Sequence, residues 1–100
     1  MEQNLQRLEN LIKVSIGHDD ISGLRAKMIT DLKPALMAVI KGECTEKNVE
    51  IPFFGDKARK QAMIQFIGQF SVNLKLSMIP IEISASAVST TRLMIRIKQK

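Results

Sequence analysis

The spacing of apolar residues changes along the chain, and this change most limits what the chain can fold into. Near the start, Leu5, Leu8, Ile12 and Ile16 recur three and four positions apart. That spacing places them on one face of an α-helix. At the end, Leu93, Ile95 and Ile97 alternate with Arg92, Arg96 and Lys98. Strict alternation is the period of a strand with one face buried. A chain that begins helical and ends extended segregates its elements, and this predicts an α+β fold.

The first helix is expected over about residues 2–16, with Glu9 and Lys13 placed for an ion pair and Gly17 as its stop. His18, Asp19 and Asp20 read as a turn and a helix N-cap. Ile21, Leu24, Met28, Leu32, Leu36 and Val39 then form a second helical face, ending at Gly42. Pro34 interrupts it. Pro34 either kinks one long helix or divides it in two with Asp31 as the new cap, so two or three N-terminal helices are expected. Residues 43–48 read as a polar connector, and Val49, Ile51 and Phe53 as a short strand with Pro52 at an edge or end.

Gly55 and Asp56 mark a turn and an N-cap, and a third helix is expected near 56–71, facing inward through Ala58, Ala62, Met63, Phe66, Ile67 and Phe70. Val72, Leu74, Leu76 and Met78 alternate with polar residues and read as strand, with continuation of the helix as the alternative. Ile79, Ile81, Ile83 and Ala85 form a further strand. A turn falls near 89–91, and the last strand follows. The C-terminal third is thus an antiparallel β-hairpin or meander.

At 100 residues, a single domain spanning 1–100 is expected. With four Phe, no Trp and no Tyr, the core must be aliphatic and rich in Met. The lone Cys44 marks no oxidising compartment, residues 1–7 lack the pattern of a signal peptide, and the run 35–40 is too short to span a bilayer. These readings predict a cytoplasmic protein that does not enter membranes. The apolar stripe of the first helix and the alternating run 72–83 exceed what so small a domain readily covers, which makes a symmetric homodimer the expectation.

Catalysis has little to stand on. Cys44 and His18 could only form a nucleophile pair if the fold joined them, and they read as a partly buried loop residue and a turn residue. Phosphate-loop, dinucleotide-loop and zinc-finger spacings are absent. No enzyme activity, cofactor or metal is expected.

Two basic groups stand out. Lys57, Arg59 and Lys60 fall in the first turn of the third helix, where the helix dipole disfavours cations. A bound phosphate would offset this; so would Asp56 and water. Arg92, Arg96 and Lys98 share one face of the last strand. A basic strand face suits a nucleic-acid backbone, and it also protects an edge strand from aggregation. Phe53 and Phe54 precede the basic turn; Phe53 reads as core, Phe54 as packed under the third helix, and stacking on a base is the lesser alternative. The net charge of +5 favours acidic partners. The expected function is a small basic regulatory protein that binds DNA or RNA mainly through phosphate contacts, at Lys57, Arg59, Lys60, Arg92, Arg96 and Lys98. The alternative is a protein-binding adaptor or inhibitor that docks on an acidic face of a partner enzyme.

Overall fold

The computed structural model describes residues 2–16 and 23–100. Its elements are α1 (Glu2–Ile16), α2 (Leu24–Ile40), β1 (Glu46–Pro52), α3 (Lys57–Leu76), β2 (Ile81–Ala87) and β3 (Arg92–Gln99). The fold is α+β, with helices mainly first and a three-stranded antiparallel sheet of order β1-β3-β2.

β2 and β3 form the expected hairpin, and β1 pairs with the other side of β3. The last strand is therefore the centre of the sheet. Edge protection, which the sequence allowed for its basic residues, does not apply. β1 and β2 both run antiparallel to β3, so they are parallel to each other with β3 between them and α3 as the crossover.

One sheet face meets the helices. Ile51 of β1, Ile81 and Ile83 of β2, and Leu93, Ile95 and Ile97 of β3 are buried there. They share a continuous core with Leu8, Leu11 and Ile12 of α1, Met28, Leu32, Leu36 and Val39 of α2, and Met63, Phe66, Ile67, Phe70 and Leu74 of α3. α1 packs on α2 and α3. The apolar stripe of α1 is thus largely used inside the chain, not left for a second copy.

α2 runs unbroken through Pro34 as one helix, so Asp31 caps nothing and the N-terminal helices among the described residues are α1 and α2. The cap of α2 is Gly23, in the left-handed region with no side-chain hydrogen bond. The expected turn and cap at His18, Asp19 and Asp20, together with Gly17 and Ile21, lie outside the described residues. Gly42 ends α2 as expected: at φ 77° it donates to the Val39 carbonyl while Glu43 donates to that of Ala38.

Residues 72–76 are helix, which overturns the strand reading. Val72, Leu74 and Leu76 alternate as in a strand, but on a helix Leu74 falls on the opposite side from the other two. Leu74 decides the outcome: it is fully buried at the three-and-four spacing of Met63, Phe66, Ile67 and Phe70, whereas Val72 and Leu76 face water. β1 begins at Glu46, earlier than its apolar pattern suggests, because residues 46–48 pair with β3 while keeping their side chains exposed.

Candidate functional site

β1 leads into a tight turn that sets the start of α3. The amide of Asp56 donates to the Phe53 carbonyl at 3.0 Å, and both intervening residues have positive φ, 57° at Phe54 and 74° at Gly55. That is the geometry of a type I′ turn. Glycine suits it; a phenylalanine there is held in a backbone region that bulky residues avoid. The turn is clamped to the strand opposite, since the amides of Phe53 and Phe54 both donate to the Thr91 carbonyl, at 2.8 and 3.2 Å.

Phe53 is core, as expected, with 3% of its surface exposed. Phe54 is not packed under α3: 69% of it faces water. The positive φ at Phe54 explains the difference, because it turns consecutive side chains apart from the alternation of the strand.

Asp56 caps α3, with its carboxylate accepting from the amides of Ala58 at 3.0 Å and Arg59 at 3.2 Å. The guanidinium carbon of Arg59 lies 5.8 Å from the Phe54 ring centroid, and the Lys60 ammonium lies 5.6 Å from that of Phe53. Two cations placed at the positive end of a helix are thus compensated by a carboxylate and by ring faces. Arg59 Nε is buried without a hydrogen-bond partner. Lys57 is exposed.

The outer sheet face is different in character. It carries Arg92, Arg96 and Lys98 on β3, Glu46, Asn48 and Glu50 on β1, and Glu82, Ser84 and Ser86 on β2, all exposed. Arg92 pairs with Glu50 at 3.3 Å, and Arg96 with Glu46 at 3.7 Å. Lys98 stands directly across from Glu46 on one side and Glu82 on the other. The basic strand visible in the sequence is therefore flanked by acids, which the sequence could not reveal without the strand order.

The two basic groups meet at one point only. Arg92 pairs with Pro52, beside the Phe54 turn. Lys98 lies six residues along the strand, about 20 Å away at ~3.3 Å per residue. There, Arg96 and Lys98 join Lys75, Ser71, Glu82, Ile83 and Ser84 around a shallow cleft of about 310 Å³ between α3 and β2. Sequence reading missed Lys75, since its neighbours come from distant segments.

Cys44 is half-buried against the core as a free thiol, while His18 lies outside the described residues. Among the described residues, no cluster of His, Cys, Asp and Glu is arranged to hold a metal, and no helix is long and apolar enough to cross a membrane. No family model matches the chain, and no curated protein or solved structure shows significant similarity to it.

Proposed function

We propose that the chain is a cytoplasmic, non-enzymatic regulatory module that binds nucleic acid through phosphate charge. The contact surface is the end of the domain where Lys57, Arg59 and Lys60 lie beside Phe54 and Arg92. One observation carries this reading: three cations sit in the first turn of α3, Asp56 caps it, and an exposed aromatic ring lies beside one of the cations, Arg59. Asp56 already accepts from the open amides. Side-chain cations, not the helix end, would therefore make the phosphate contacts. Arg92, Arg96 and Lys98 contribute less, because each has a glutamate beside it.

Salt-dependent binding tests this. Replacing Lys57, Arg59 and Lys60 with Ala should weaken binding about equally for unrelated sequences. The slope of log affinity against log salt should fall by roughly 0.9 for each phosphate that is no longer neutralised on duplex DNA, or roughly 0.7 on single strands. Replacing Arg92, Arg96 and Lys98 should change the slope less. No binding of the wild type near physiological salt excludes a nucleic-acid partner.

A second reading has its own observation. The solvent face of α3 exposes Ile64, Val72 and Leu76, followed by Met78, and its charges are all positive. Such a face suits an adaptor or inhibitor docking on an acidic protein surface. Wild-type protein that ignores nucleic acid, with the triple Ala variant slowing association with a protein partner, favours this reading. A symmetric homodimer through the same face of α3 is also proposed.

A further inference from the structure

Phe54 is the least explained side chain of the fold. It occupies the first central position of a type I′ turn at φ 57°, where Asn or Gly fits without strain. The strained backbone does not serve the core, since 69% of the residue remains in water. Strain of this kind persists only where surrounding structure enforces it, and here two hydrogen bonds to Thr91 do so. The result is a ring left largely in water on a short, anchored turn.

One cation lies beside the ring, and the Asp56 carboxylate two residues on is occupied by the amides of Ala58 and Arg59. The Arg59 guanidinium lies 5.8 Å from its centroid, and Lys57 and Arg59 follow it within one helical turn. With most of the residue exposed, that guanidinium leaves ring surface open. An aromatic face next to cations matches one ligand chemistry well: a flat base adjoining a phosphate. In a duplex the bases stack on each other and present no face to a protruding ring. An unpaired base does.

We propose that Phe54 is a stacking platform for an unpaired base, and that the ligand is therefore single-stranded nucleic acid, with Lys57 and Arg59 holding the adjoining phosphates. This rests on the nucleic-acid reading above. It adds the form of the ligand and a contact that does not depend on charge.

The chain has no Trp and no Tyr, so Phe54→Trp would carry the only strongly fluorescent side chain. The experiment titrates this variant with a thymidine oligonucleotide of about 12 nucleotides, within the usual reach of small single-strand sites. The same sugar-phosphate backbone without bases and a duplex of equal length serve as comparisons. Stacking predicts saturable quenching by the oligonucleotide and none by the abasic strand. Phe54→Ala should weaken single-strand binding by at least about fivefold and leave the salt slope unchanged, because every phosphate-binding cation remains in place. Phe54→Asn, which suits the turn, should do the same and separates loss of the ring from loss of the fold.

Unaltered tryptophan emission on binding overturns the stacking role, as does full affinity in Phe54→Ala. So does a preference for duplex. These three results leave phosphate binding standing. Wild-type protein that binds neither form overturns both the platform and the reading beneath it.

Discussion

Met78 follows α3 with a left-handed backbone, φ 57°, and 78% of it is exposed. Its amide donates to Lys75 while that of Ile79 donates to Leu74, so the helix ends in a Schellman motif with Met where Gly is usual. Leu74 and Ile79, the positions whose apolar contact accompanies this motif, are both buried in the core. Met78→Gly should therefore remove strain without disturbing the packing. The left-handed conformation costs a bulky residue roughly 1–2 kcal/mol, of which Gly's greater unfolded freedom returns about half. Chemical denaturation should show a gain of about 0.5–1 kcal/mol with an unchanged m-value. A decrease in stability instead would mean that the Met side chain holds something beyond its own backbone.

At the scale of elements, the start of α3 separates hydrogen bonding from charge. Asp56→Ala removes the acceptor for the amides of Ala58 and Arg59 and should destabilise by about 1 kcal/mol. Asp56→Asn keeps an acceptor and removes only the charge, and should cost a few tenths of a kcal/mol, roughly. It should also tighten nucleic-acid binding, because a carboxylate no longer repels phosphate near Lys57 and Arg59. Thermal melts paired with oligonucleotide titration check both signs. Asp56 and Gly55 were legible in the sequence, because capping and left-handed turns demand particular residue types. So were α1, the Gly42 stop and the hairpin. The helical continuation to Leu76 was legible only as the alternative, because the apolar residues at 72, 74 and 76 alternate like a strand and Leu74 alone continues the buried helical face. The acids beside Arg92, Arg96 and Lys98 were hidden for another reason. Glu46 and Glu50 lie more than forty positions earlier in the chain, and only the placement of β3 between β1 and β2 brings them across. Phe54 was misread as packed under α3 because nothing in the local pattern signals the positive φ that leaves it in water.

For the whole molecule, the question is which apolar surface the fold leaves uncovered. The stripe of α1 and much of the run 72–83 are used internally, through Leu8, Leu11, Ile12, Leu74, Ile79, Ile81 and Ile83. What remains on α3 is Ile64, Gly68, Val72 and Leu76 at four-residue spacing, a line about 18 Å long at ~1.5 Å per residue. Gly68 is informative here. It lies inside a helix, where Gly is less stable than Ala by about 1 kcal/mol. A methyl group added to it would meet nothing within 4 Å, so the protomer itself has no use for the missing side chain. A helix from a second copy would, because Gly allows close backbone approach. The flanking Gln61, Gln65 and Gln69 are exposed and neutral, and amides both donate and accept, so they complement themselves across a two-fold axis. Gly68→Ala should therefore act in opposite directions, raising protomer stability by about 0.5–1 kcal/mol and weakening self-association. Val72→Lys, at a position 51% exposed, should abolish association while leaving the fold intact. Since each copy carries +5, added salt should strengthen the dimer, opposite in sign to its effect on nucleic-acid binding. Sedimentation at tens of micromolar, roughly the range where modest dimers persist, measures all of this. A wild-type monomer there at every salt concentration would remove α3 as a dimer face, and its exposed stripe would then have to serve a different protein.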